Sequence, residues 1–482
     1  MISNTLSIKQ SFLLCICAFL IRAVVMFYFI QPNEYYKQPD SGDYHSCTLS
    51  MVTGNGMYRL QTNDPIFWRT PGYPPFTAFF YWLCGAKSWQ FTANSYAQCA
   101  AIWTQILISS FIPIVLFLLA IALTQTPFIA YTLAWLSVVH PGLVLASTFF
   151  LTEGVAIIFF YLFLLFFYRL IIPHKKKFRW STQLLLAVLS LSVYTWMRPM
   201  GEFVGVFSAV LLFFAGIGSW RQTLKESFLF LFLFLLTLFP WYYRNYKLTG
   251  EWFFCPTIGT YLNVFSAPKI LRRTTGKPIE ECHKMLGHAA AIETRKKQME
   301  LQGTGKHVSN NICKNVSYPI CMSHPGYFVY DWMAEVIKTT LDLYSYQLIT
   351  MANGSWWYDP IEEYLPDKIC ACLYAQTVPW FTRTVCWLEL ILMLVLWIGL
   401  FGGLWIFLIR PLIKKQTNVF SQRMLRVWIM TIPMIGICIG LTGGFGYARL
   451  RLPVEPLLVI LSLTFWYWLS QQKFKSYNER SA

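Results

Sequence analysis

The residues able to do chemistry collect in a few short polar segments between long apolar ones. The first is Pro39-Asp40-Ser41-Gly42-Asp43-Tyr44, which follows an apolar stretch at 11–30. Next come Arg69-Thr70-Pro71-Gly72-Tyr73-Pro74-Pro75, Thr152-Glu153, Arg198-Pro199, Pro240-Trp241-Tyr242-Tyr243-Arg244-Asn245 and Arg449-Leu450-Arg451-Leu452-Pro453. A carboxylate at the mouth of a membrane bundle can serve as a general base or a metal ligand. Arginine grips phosphate through two N–H groups at once. Tyr and Trp faces suit sugars and prenyl chains, which places Tyr73 on the substrate side. Asp40 would then take a proton from an acceptor hydroxyl while arginines hold a departing lipid phosphate.

The elements that must carry these residues are membrane spans. The chain has 482 residues, of which 56% are hydrophobic and 13% charged, with a mean hydropathy of +0.46. A soluble domain carries roughly a quarter charged residues. About ten spans are expected, near 11–30, 99–122, 128–149, 153–172, 182–198, 201–219, 227–243, 386–409, 425–443 and 453–470. The fold class is an all-α polytopic bundle with outer juxtamembrane helices and a mixed outer cap. Residues 1–243 form an N-terminal transmembrane region whose first outer loop is 31–98, residues 244–385 form the cap, and residues 386–482 return to the membrane. The apolar segment 71–85 is too short to cross a core of ~30 Å at ~1.5 Å per residue. It reads as an interfacial or re-entrant helix.

Basic residues cluster in short loops at 174–179, at Arg221 and Lys225, at Arg410, Lys414, Lys415 and Arg423, and in the tail. That pattern marks the cytoplasmic side and puts every polar segment named above on the outer side. The net charge of +17 therefore reflects topology and contact with anionic lipid, and excludes nucleic acid as a partner. No CxxC pair is present; Cys255, Cys282, Cys313, Cys321, Cys370 and Cys372 fall in the long loop and could pair in an oxidising compartment. The loop also carries Asn-x-Ser sequons at Asn315 and Asn353, which matter only in a eukaryotic lumen.

Each residue also has a plainer reading. Asp40 and Asp43 could cap a short helix, and Glu153 could face the N-terminus of its own span. Arg198, Arg244, Arg449 and Arg451 could be interfacial anchors. Arg22, inside the first span, could snorkel or pair with a buried acid. Pro199, Pro240 and Pro453 could simply end helices. His283, His288, His307 and His324 read as loop residues, and Gly54-Asn55-Gly56 reads as a turn.

In order along the chain, Pro39-Asp40-Ser41-Gly42-Asp43-Tyr44, Gly54-Asn55-Gly56-Met57-Tyr58, Pro71-Gly72-Tyr73-Pro74, Leu151-Thr152-Glu153, Arg198-Pro199, Pro240-Trp241 with Arg244-Asn245-Tyr246, and Arg451-Leu452-Pro453-Val454-Glu455-Pro456 resemble the GT-C glycosyltransferases. The nearer resemblance is to the bacterial branch related to dolichyl-phosphate-mannose protein mannosyltransferases and the lipid A aminoarabinose transferase. It covers the first seven spans and the last two; the cap carries no motif of the family. The resemblance implies transfer of a sugar, with inversion, from a polyprenyl-phosphate donor to a lipid, glycan or protein acceptor at the outer face of a bacterial inner membrane. It implies Asp40 as the catalytic aspartate of the first loop, acting as general base, and Glu153 as a second acidic position, with Asp43 open in role. By position and chemistry, Arg244 and Arg451 stand first for phosphate, beside Arg69, Arg198 and Arg449. A divalent metal is left open as a cofactor. Arg69-Thr70 stands where the aminoarabinose transferase has an acidic-basic pair before its proline, which takes that acid away from any metal site. A transporter or flippase of lipid-linked sugars would instead need broken helices, an internal repeat and midplane polar groups. A non-catalytic scaffold would leave Asp40 dispensable.

Overall fold

The computed structural model describes residues 5–29, 40–59, 64–86, 91–172, 180–215, 219–344, 380–410, 419–442 and 448–481. The cluster at 174–179, Lys414, Lys415, Asn353, Cys370 and Cys372 lie outside these residues. Among the described residues there is no strand; one isolated bridge joins Tyr58 to Pro65. Helix α1 (Ile8–Phe29) leads to α2 (Ser41–Val52) and α3 (Tyr73–Leu83). Then come α4 (Phe91–Ser109), α5 (Ile112–Thr124), α6 (Pro127–Val139), α7 (Pro141–Thr148), α8 (Glu153–Ile171), α9 (Trp180–Met197), α10 (Met200–Ala215) and α11 (Trp220–Thr249). Helices α12 (Thr257–Tyr261), α13 (Ala267–Thr275), α14 (Ile279–Glu300), α15 (Cys313–Ser323) and α16 (Pro325–Leu341) build the cap. Finally α17 (Trp380–Gly403), α18 (Val419–Thr442) and α19 (Glu455–Ser481) return to the bundle.

The chain is an all-helical polytopic membrane protein. Each expected span position carries helix, and among the described residues six helical segments, α4 and α5 counting as one, are long and apolar enough to cross a membrane. Helices α6 and α7, bent by 47° at their break, can make a seventh; α9 and α10 are apolar but shorter. The ten-span expectation therefore exceeds what length and apolarity alone support. Helix α3 has only 11 residues, about 16 Å at 1.5 Å per residue, as expected for a segment that does not cross. Helix α8 is apolar all round and sits at the centre, against α4, α5, α7 and α9. By contrast α11 leaves Phe228, Phe232, Leu236 and Phe239 exposed along one stripe, the face a lipid-contacting helix presents.

Local chemistry explains the breaks. Pro141 forces His140 into an extended conformation (φ −61°, ψ 117°), because the residue before proline is excluded from the helical region. His140 Nδ1 then accepts the Leu143 N–H and caps α7. Pro240 does not end its helix: α11 runs through it to Thr249 and stops at Gly250, whose φ of 80° suits glycine. Helix α11 thus extends past the expected boundary at residue 243. Gly54 and Gly56, at φ of 87° and 71°, make the expected turn.

The cap has its own small core of Leu262, Ala267, Ile270, Leu286 and Cys321. Ion pairs Lys269–Glu335 and Arg273–Asp331 join α13 to α16. Helix α16 docks on the bundle through Trp332 Nε1, which donates to the Gly440 carbonyl. His283 and His288 lie on α14, not in a loop. Ser317 of the first sequon is buried against Asn263, so Asn315 is locked into helix α15. Cys255, Cys282, Cys313 and Cys321 are free thiols, so the pairing expected of an oxidising compartment is not seen among them.

Candidate active site

Three contacts bring the polar segments together at one end of the bundle. Ser41 Oγ donates to the Phe150 carbonyl at 3.0 Å and seats the start of α2 on the turn before Glu153. The Gly72 N–H donates to the Trp196 carbonyl at 2.7 Å, and Thr70 Oγ1 donates to that of Met197 at 2.7 Å. These bonds satisfy carbonyls that the last turn of α9 leaves open. Glycine is required at 72, because a Cβ there would lie 2.7 Å from the Trp196 carbonyl. The Thr70-Pro71-Gly72 run is therefore a docking turn, and it fixes Arg69 beside α2.

Asp40 precedes α2, but its side chain makes no cap hydrogen bond. Its two oxygens go to two guanidiniums instead. Oδ1 accepts from Arg69 Nη2 at 2.8 Å, and Oδ2 accepts from Arg449 Nη2 at 3.2 Å. The carboxylate keeps 31% of its side-chain surface open. Burial pushes the Asp40 carboxyl pKa up, but Arg69 and Arg449 outweigh it and hold it well below the usual carboxylate range. Asp43 shares Arg69: its Oδ2 accepts from Nη2 at 2.7 Å, from Nε at 3.1 Å and from Trp68 Nε1 at 3.2 Å. The Tyr44 ring lies under the Arg69 guanidinium at 5.1 Å. Burial, only partly offset by Arg69, pushes the Tyr44 phenol up to about 12.

Glu153 opens α8 and is nearly buried, with its Oε1 on Arg198 Nη1 at 2.6 Å and Thr152 Oγ1 donating to its Oε2. Arg449 exerts its charge on both Asp40 and Glu153. The site is thus an alternating set of two acids and three arginines, with Asp43 at its edge. Among the described residues no three His, Cys, Asp or Glu side chains converge as a metal cluster. Guanidiniums already take both oxygens of Asp40 and one of Glu153. These donors do not fit a resident divalent cation.

Other expected site residues are committed elsewhere. Arg451, 1% exposed, pairs with Glu455 at 2.8 Å and donates through Nη1 to the carbonyls of Thr339, Thr340 and Asp342. Its donors tie the cap to α19 and leave nothing for a phosphate. Arg244 donates to the Met57 and Ile66 carbonyls and stacks on Trp241 and Phe67, so it pins the first loop. Tyr73 is fully buried and its hydroxyl donates to Gln105 Oε1, which makes it a wall behind α2. Arg22 does not snorkel and meets no acid among the described residues. It is fully buried, Nη1 donates to the Ala18 carbonyl, and Nε and Nη2 have no partner among the described residues. Sequence reasoning missed Trp68 and Tyr44, which fix Asp43 and Arg69; the only signal was an aromatic residue beside each charged one.

No family model and no curated protein matches the chain. Among solved structures it is similar to the Archaeoglobus fulgidus oligosaccharyltransferase tethered with an acceptor peptide, at 11% identity and TM-score 0.49, over 95% of this chain and 49% of that one. It is similar to the archaeal oligosaccharyltransferase AglB of the same organism, in complex with an inhibitory peptide and a dolichol-phosphate, at 14% identity and TM-score 0.46, over 98% and 52%. ArnT from Cupriavidus metallidurans in the apo state follows at 14% identity and TM-score 0.36, over 90% and 76%. The chain spans about half the length of the archaeal enzymes. TM-scores below 0.5 leave activity to be argued from the residues.

Proposed function

We propose that the chain is a membrane glycosyltransferase of the GT-C type, which moves a sugar from a polyprenyl-phosphate donor to an acceptor at the outer face of the membrane. The observation that carries this reading is Asp40 held between Arg69 and Arg449, with the Glu153–Arg198 pair beside it. An acceptor hydroxyl oxygen bonds to C1 of the sugar as the C1–O(phosphate) bond breaks. The electron pair leaves with the polyprenyl phosphate, and the proton goes to Asp40. Attack opposite to the leaving group inverts the anomeric centre. Arg69, Arg449 and Arg198 neutralise the departing phosphate, an electrostatic task worth several kcal/mol. They replace Arg244 and Arg451 in that role. Glu153 orients Arg198 and, through it, the phosphate. In this reading the guanidiniums supply the positive charge at the departing phosphate, and the mechanism calls on no resident divalent ion.

The test is purified protein in lipid vesicles with a polyprenyl-phosphate sugar labelled in the sugar, plus an extract of membranes as the source of acceptor. The expected result is loss of label from the lipid with release of free polyprenyl phosphate. Intact donor carried across the bilayer without release would favour the transporter instead.

A further inference from the structure

We infer that the donor's phosphate unlocks the base: Arg69 and Arg449 turn from Asp40 to the phosphate, and Asp43 is the positioning residue that keeps Arg69 in place as they do. This rests on the glycosyltransferase reading. Each Asp40 oxygen accepts from a different guanidinium, at 2.8 and 3.2 Å. Those bonds favour the anion and oppose protonation, so the carboxylate is a poor proton acceptor while they last. The donor's phosphodiester competes for the guanidiniums, because it offers them the same paired oxygens and gains a second negative charge as the C1–O bond breaks.

Arg69 is built to make that exchange. It spends one contact on Asp40 and two on Asp43. Trp68 Nε1 donates to the same Asp43 oxygen, and the Tyr44 ring supports the guanidinium from below. Losing the Asp40 contact therefore leaves Arg69 anchored. The charged and titratable groups facing Asp40 are Arg69, Asp43 and Tyr44 from the first loop, and Arg449 from the last. Glu153 and Arg198 lie beyond Arg449 and Tyr44.

The consequence is a pH profile that depends on donor. In the free protein Asp40 titrates below the ordinary carboxylate range, so the acid limb of kcat/KM lies at low pH. With donor bound, the phosphodiester draws the guanidiniums off Asp40 and offsets one of their charges, so the Asp40 pKa rises. The acid limb of kcat should then sit about one pH unit or more above that of kcat/KM, the size of effect one opposite charge exerts. A phosphodiester donor has no group titrating in that range. Asp43→Asn leaves Arg69 leaning on Asp40, so kcat should fall about tenfold, with its acid limb moved to lower pH and KM little changed. Asp43→Glu should restore both. Coincident limbs in the wild type, or an Asp43→Asn variant that only unfolds more easily with an unmoved limb, would overturn the unlocking. Absence of transfer at every pH would instead sink the reading beneath it.

Discussion

At the residue scale, two arginines of one short segment have opposite jobs. Arg449 reaches the solvent-accessible Asp40, whereas Arg451 is enclosed with Glu455 and three cap carbonyls. Arg449→Gln should lower transfer about a hundredfold, the size seen on deleting a donor to developing charge, while thermal unfolding stays near wild type. Arg451→Gln should cost about 3–5 kcal/mol, because it leaves Glu455 charged and buried. Activity of the two variants per folded molecule, measured beside thermal unfolding, separates the roles. Equal losses of activity and stability in both would contradict them. Sequence could not make this distinction, since both residues are arginines before a proline. What separates them is the folded position of their acids: Glu455, at the start of α19, meets Arg451, and Asp40, distant in the chain, meets Arg449.

At the element scale, helix ends are turned toward one another by turns that use their open backbone groups. The Thr70-Gly72 turn on α9 is the clearest case. Gly72→Ala should push the turn off the Trp196 carbonyl, at a cost of about 1–3 kcal/mol. It should also lower transfer more than that loss of stability explains, because Arg69 moves with the turn. Thermal unfolding and specific activity check it; an unchanged activity would show that the turn does not position Arg69. Helix positions were legible in the sequence because apolar runs between polar segments are a strong signal. The path of α11 through Pro240 was not, because a proline inside a membrane helix can be accommodated by its neighbours. Nor were the tasks of Trp241 and Asn245, whose side chains bond to the returning carbonyls of Phe253 and Phe254. Those partners are set by tertiary folding alone.

At the scale of the whole molecule, one end of a helical bundle gathers acids and arginines from segments spread between residues 40 and 449, and α16 of the cap packs beside the last of them. That convergence was legible, because counting spans places alternate loops on one side. The counter-ions were not: which arginine meets an acid and which meets a carbonyl is decided only by tertiary folding. Since guanidiniums hold the acids, EDTA should leave the transfer rate unchanged; a loss restored by Mg²⁺ or Mn²⁺ would contradict this. The central claim is that Asp40 takes the acceptor's proton. Its most direct measurement is the rate of polyprenyl-phosphate release from labelled donor by wild type, Asp40→Asn and Asp40→Ala, each verified as folded. The account predicts that both variants lose about 10²–10⁴-fold, the contribution of a positioned base. Full transfer by either variant would contradict it.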